Sequence, residues 1–346
     1  MGLFNNRIKT PEGKTQIPVW FMRQAGRYHS HYQNIKKNSN FMNMCRNPKI
    51  ACEVTMGPIE EFDFDAAILF SDLLFPLEHM GLGLSYAPGP ILENHLTSLE
   101  KVKNIKLTSD PNDFFSFQGE ACELLKDALP EQKTLLGFVG APFTLYTYAV
   151  DGGHSGNLIE PKKGFHDGRW EAFNDVLFEN LIVEMSVQAK KGAEAICLFD
   201  TAAGECTFED YKEFILPKIR LITKEFKYHF PNKKIIYYSK FTHIDYLQEI
   251  QDENIDVLGV DWRLNLANVL TTLGNDYMIQ GNIDPAHLHL PWPILKQKLA
   301  SLWNKLEVQN VPFHRWICGL GHGVLQKTPE ENVKNTVKYI HENFNY

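Results

Sequence analysis

Eight short apolar runs, each followed by a longer stretch of helical period, constrain this 346-residue chain more than any other feature. They are 18–22 (PVWFM), 66–70 (AAILF), 134–139 (TLLGFV), 195–199 (AICLF), 234–238 (KIIYY), 257–261 (VLGVD), 277–282 (YMIQGN) and 316–320 (WICGL). Hydrophobicity that is nearly continuous over so few residues marks strands buried on both faces, as in a parallel sheet. The segments between carry helix signals. Val176, Leu177, Leu181, Met185 and Ala189 share one face of a helix over 172–191, which Gly192 ends. A helix from 208 meets Pro217, which should kink or restart it. Asn265 is placed to cap a helix that ends at Gly274, and Leu295, Leu299, Leu302 and Leu306 repeat at helical spacing. Thr328-Pro329-Glu330-Glu331 reads as a capping box with proline at the first helical position.

Strand and helix alternating eight times without a linker predict an α/β fold: a single-domain (β/α)8 TIM barrel over residues 1–346, with its active site at the C-terminal strand ends. The competing architecture is an open doubly wound sheet. Against it, no G-x-G-x-x-G follows the first run and no Walker-type phosphate loop occurs. Two connections, 23–65 and 71–133, are longer than a crossover needs, and the Gly81–Pro90 stretch reads as an irregular or hairpin excursion.

A net charge of -7 argues against nucleic acid or an anionic membrane as partner, so any polyanion must be held by locally concentrated cations. The six cysteines are scattered, with no C-x-x-C pair, which favours a reducing, cytoplasmic setting. Residues 1–14 lack the apolar region of a signal peptide, and Asn6 stands where a myristoylation signal needs Ser or Thr.

Barrel chemistry collects where the strands end. After the first run come Arg23 and Arg27, either surface ion-pair partners or a clamp able to aim two guanidinium groups at one anion. Asp72, in apolar company, is either a helix cap or a buried functional carboxylate. Tyr146 and Tyr148 read as core or rim aromatics, and the Gly152–Gly156 segment, Ser155 included, as a mobile loop. Asp200 caps or orients a neighbour while Thr201 offers a hydroxyl. Lys240 is positioned for a Schiff base, as in aldolase barrels, and Asp261-Trp262-Arg263 reads as a strand-end hydrogen-bonding network. His322 lies between Gly321 and Gly323, which allow close approach of a ligand. His314 and Cys318 have no further partner at ligand spacing, so no metal is expected.

The stretch PVWFMRQAGRY (18–28) resembles the N-terminal motif of the uroporphyrinogen decarboxylase family. The likeness continues in order through AAILFSD (66–72), GFVGAPFTLYTY (137–148), LFDT (198–201), GVDW (259–262), QGNIDP (280–285) and GLGHG (319–323). The resemblance implies a cytoplasmic, homodimeric lyase of heme (porphyrin) biosynthesis, using no metal or organic cofactor, that converts the tetrapyrrole uroporphyrinogen III to coproporphyrinogen III. It implies substrate contacts at Arg23, Gln24, Ala25, Gly26, Arg27, Phe41, Asp72, Tyr148, Thr201 and His322, with Asp72 against the pyrrole NH groups as transition-state stabiliser and Arg23 beside it in catalysis. Arg23, Arg27 and His322 fit the role of carboxylate partners. Thr201 replaces a more usual serine, and Phe241-Thr242 replaces the smaller residues usual after the lysine at 240. The other readings are a zinc-dependent methyltransferase of the same superfamily, a Schiff-base aldolase using Lys240, and a non-catalytic tetrapyrrole carrier.

Overall fold

The computed structural model describes residues 2–4, 8–154 and 156–346, so Asn6 and Ser155 lie outside the described residues. The strands are β1 (Ala66–Ile68), β2 (Leu84–Tyr86), β3 (Pro90–Leu92), β4 (Thr134–Gly140), β5 (Ala195–Asp200), β6 (Lys234–Ser239), β7 (Val257–Gly259), β8 (Met278–Ile283) and β9 (Trp316–Leu320). Seven form one parallel sheet in the order β1-β4-β5-β6-β7-β8-β9, while β2 and β3 pair as an antiparallel hairpin. The hairpin is the excursion expected between Gly81 and Pro90.

The first apolar run departs from expectation: it makes a single parallel bridge, Val19 to Cys318, in place of a ladder strand. Pro18 has no N–H to give, and its carbonyl accepts from Cys318 N–H at 2.8 Å. On the opposite edge Asp65 N–H donates to the Val19 carbonyl at 2.9 Å, while Val19 N–H donates to the Asp65 side-chain Oδ2 at 2.7 Å. The run therefore joins β9 to the chain entering β1 and closes the ring as an eighth stave. Asp65 also receives His341 Nε2 at 2.9 Å and faces Lys133 Nζ at 3.6 Å.

Alternation along the strands divides the core in two. Trp20, Ile68, Phe138, Cys197, Tyr238 and Ile317 belong to one buried cluster inside the barrel. Their neighbours Val19, Ala67, Val139, Leu198, Tyr237 and Cys318 pack outward against the helices. The helix expected over 172–191 is Arg169–Lys190. A π-helical turn, Tyr211–Ile215, precedes Pro217, whose missing N–H interrupts the regular ladder at the restart. Asn265 Oδ1 accepts from Asn268 N–H at 3.2 Å and caps Leu266–Leu273 as expected.

The capping box expected at 328–331 does not form. Thr328 Oγ1 pairs with His289 Nε2 at 3.2 Å, Glu330 accepts from Ser30, and Pro329 occupies the cap position before Glu330–Asn343. Tertiary partners have displaced the local bond. Among the described residues no helix is long and apolar enough to cross a membrane.

Candidate active site

The turn after the closing stave presents the arginines. Arg23 adopts a left-handed backbone conformation (φ 58°) and its side chain is exposed at the strand-end mouth. Gln24 instead turns inward: its amide donates to Ala66 O at 2.8 Å and accepts from Phe21 N–H at 3.2 Å, fixing the turn against β1. Ala25 is half-buried against a satellite apolar cluster, and the Gly26 carbonyl accepts from His29 N–H. Arg27 Nη2 donates to Pro88 O in the hairpin at 3.3 Å. Of residues 23–27, only the two arginines bring charge to the mouth.

Asp72 forms an Asx-type turn, its Oδ1 accepting from Leu74 N–H at 2.9 Å. The helix cap weighed from sequence is not made, since Leu74 occupies that position. Burial raises the Asp72 pKa, and the Tyr86 hydroxyl, Leu74 N–H and Arg23 hold the rise in check. Tyr86, at the end of β2, escaped the sequence reading, because nothing local says that the hairpin folds back over the end of β1. Its ring lies 4.6 Å from Phe41, which in turn packs 5.8 Å from Phe70, so Phe41 enters the site as support for Tyr86.

Behind Asp72 runs a buried polar chain that also gave no sequence signal. Gln118 Nε2 donates to Ser71 Oγ (3.1 Å) and Glu184 Oε1 (2.8 Å), and Gln188 links Gln118 Oε1 (2.9 Å) to both main-chain groups of Phe138. Burial pushes the Glu184 carboxyl well up, against the hydrogen bond from Gln118. These side chains stand on the inward faces of helices, where the apolar pattern hides them.

The two tyrosines after β4 separate cleanly. Tyr146 is fully buried between Trp170 and Phe173, whereas Tyr148 is half-buried, lies 5.3 Å from His154 with the rings tilted, and feels both Asp72 and Arg23. At the end of β5, Asp200 accepts from Thr144 Oγ1 (2.9 Å) and from the Tyr237 hydroxyl (3.2 Å), and burial lifts its pKa to about 6. It anchors the turn that carries Thr201, whose buried Oγ1 has no protein partner among the described residues.

The surroundings of His322 favour its neutral form, in which it can still meet a carboxylate through a ring N–H. Burial, then Arg23, Lys240 and His154, lower its pKa to about 3. Gly323 N–H donates to Nδ1 at 2.5 Å, so the proton sits on Nε2, ready to donate to a ligand. Lys240 and Arg263 add positive charge at the neighbouring strand ends. Asp261, the acid among them, is buried and already accepts from Phe241 N–H (2.7 Å) and from Arg263 (3.0 Å). Asp72 lies within reach of Arg23, while Asp261 and Glu205 act on Lys240. Among the described residues the one His/Cys/Asp/Glu triple at metal-binding distance is His29, Glu61 and Glu330. It includes no cysteine and no member of this site.

Comparison with known proteins agrees with the geometry. Residues 7–343 match the family described as Uroporphyrinogen decarboxylase. The chain is 35% identical over 340 residues to uroporphyrinogen decarboxylase from Carboxydothermus hydrogenoformans, covering 96% of this chain and 93% of that one. It is also 35% identical over 331 residues to the enzyme of the same name from Koribacter versatilis, covering 94% and 92%. In fold it is similar to a methyltransferase from Methanosarcina mazei, with TM-score 0.74 at 15% identity over 95% of this chain and 94% of that one. An eight-staved α/β barrel, a strand-end mouth with Arg23 in reach of Asp72 and full-length relatives converge on one assignment: the chain belongs to the uroporphyrinogen decarboxylase family.

Proposed function

We propose that this protein is the carboxy-lyase of heme biosynthesis that converts the four acetate side chains of uroporphyrinogen III to methyl groups, giving coproporphyrinogen III and four CO2. The observation that carries this reading is Asp72, a buried carboxylate within reach of Arg23, the same arginine that acts with Lys240 on His322 across the strand-end mouth of the barrel. A porphyrinogen needs both features. Its eight carboxylates are ionised near neutral pH and call for cations, while its reacting pyrrole becomes cationic and calls for an anion.

Losing CO2 from an acetate leaves an electron pair, and the pyrrole itself can accept it. Protonation of a ring α-carbon gives an iminium-like cation. Cleavage of the C–CO2 bond then feeds its electron pair into the ring, producing a neutral exocyclic alkene. Protonation of that alkene makes the methyl group, and loss of the α-proton restores the pyrrole, so each acetate consumes one proton overall.

Asp72 beside the pyrrole N–H groups stabilises the cationic stages without itself transferring a proton. Arg23 and Arg27 hold carboxylates by bidentate hydrogen bonds, and Arg23 near the reacting ring also favours the ionised form of Asp72 against the effect of burial. Tyr148, Thr201 Oγ1 and the Nε2–H of His322 supply neutral hydrogen bonds that orient the macrocycle, with Phe41 behind Tyr86. No organic cofactor or metal is required by this chemistry. We further propose one domain over residues 1–346, a homodimer and a cytoplasmic location, readings supported by the family resemblance and the six free cysteines. Sedimentation equilibrium measures the oligomer.

The deciding experiment is anaerobic incubation with uroporphyrinogen III, following products with seven, six, five and four carboxylates. Stepwise accumulation of the tetracarboxylate is expected. Tight binding without turnover would replace the enzyme by a tetrapyrrole carrier.

A further inference from the structure

Phe241 and Arg263 stand out at the ends of β6 and β7. Phe241 adopts a left-handed backbone conformation (φ 65°), unfavourable for a bulky residue, and the surroundings hold it there. Its N–H donates to Asp261 Oδ2 at 2.7 Å, and Gly204 N–H donates to the preceding carbonyl, Lys240 O, at 3.1 Å. Gly204 has no room for a side chain, since a Cβ there would lie 2.3 Å from Lys240 O and 2.5 Å from the Phe241 carbonyl carbon. The turn bearing Thr201 is therefore pressed directly under the 240–241 peptide.

The ring held this way is a platform for two cations. Lys240 Nζ lies 4.1 Å from its centroid and Arg263 Cζ 3.5 Å, and Arg263 also stacks 5.0 Å from Trp262. Asp261 bonds one edge of the guanidinium, Nη1 to Oδ2 at 3.0 Å, and the Arg263 side chain remains 49% exposed. Two cations thus lie over one aromatic ring, and the carboxylates that act on Lys240 are Asp261 and then Glu205.

We propose that Lys240, Phe241 and Arg263 form a shelf that binds a carboxylate on a pyrrole remote from the one seated against Asp72, adding affinity and fixing the rotation of the macrocycle. This rests on the porphyrinogen reading above. The free edge of Arg263 is suited to a bidentate carboxylate, Lys240 supplies a second charge, and the Phe241 ring holds the two close together. A substrate with eight carboxylates presents more anions than Arg23 and Arg27 can meet.

The test is binding of oxidised, non-reactive uroporphyrin, followed by its fluorescence, together with steady-state turnover of uroporphyrinogen. Arg263→Gln is expected to weaken uroporphyrin binding and raise KM about tenfold, with kcat within about twofold, and Arg263→Lys to recover only part of the loss, since lysine keeps the charge but not the planar fork. A tetracarboxylate such as coproporphyrin should lose less than uroporphyrin. Unchanged binding in Arg263→Gln, or a fall in kcat at constant KM, overturns the shelf. Should Arg263→Gln lower Tm, Lys240→Gln decides by the same binding readout. A wild-type protein that neither binds uroporphyrin nor turns over uroporphyrinogen refutes the functional reading itself, a result distinct from failure of the shelf.

Discussion

Gly323 lies against the stem of Arg23, so closely that a Cβ at 323 would sit 2.5 Å from Arg23 Cδ and 2.7 Å from Cγ. The last strand-end loop thereby props the first. The glycine after His322 is needed as much for this contact as for ligand approach. Gly323→Ala should push the Arg23 side chain aside, raising KM about tenfold while costing about 1–3 kcal/mol of stability at most. Steady-state kinetics and chemical denaturation check the two halves, and an unaltered KM would show that Arg23 has another seat.

Replacing Asp72 by asparagine keeps its size and leaves a carbonyl to accept from Leu74 N–H. The fold should persist and kcat should drop by about 10²–10³, equivalent to about 2.7–4 kcal/mol of lost transition-state stabilisation. Turnover at the wild-type rate would remove Asp72 from its catalytic part.

The pH profile follows from the same residue. Asp72 acts as a carboxylate, so turnover should be full above its raised pKa and decline as pH falls through it. The Tyr86 hydroxyl lowers that pKa. Tyr86→Phe keeps the ring on Phe41 but should move the acid limb of kcat to higher pH. A limb that stays in place would leave Tyr86 a packing residue only.

His322 makes stability depend on pH in the opposite chemical sense to a paired histidine. Its pKa is about 3 when folded against 6.5 in the reference state. Between these values the unfolded chain binds more protons, so the contribution of neutral His322 is complete above about pH 6.5 and is lost progressively as pH falls toward 3. His322→Asn should therefore lose less stability than wild type between pH 7 and pH 4.5, measured by urea unfolding at both values. Parallel losses would mean that His322 is solvated.

The barrel could be read from sequence because most strands carry their own continuous apolar signal. The β4, β5, β6, β8 and β9 runs match within a residue at each end. Residues 18–22 failed as a ladder strand for a reason visible only in three dimensions: a proline removes one donor and the side chain of Asp65 takes another. The Thr328 cap failed the same way, captured by His289. Tyr86, Gln118 and Glu184 could not be found because their importance lies in what the hairpin and two helices place next to Asp72. The lowered pKa of His322 likewise depends on burial and then on Arg23, Lys240 and His154, three residues from three other loops.

The stave that bears Arg23 and Arg27 is fastened to its β1-side neighbour by a main-chain bond, by the Gln24 amide on Ala66 O and by one carboxylate oxygen of Asp65. That same carboxylate reaches His341 in the final helix, so the grip on the arginines is shared with the far end of the chain. Damage at Asp65 or His341, at the opposite rim from the chemistry, would loosen the arginine strand first and be felt as poor substrate capture before any wider unfolding. The barrel has, in effect, a latch, and it is fitted on the side where no substrate arrives.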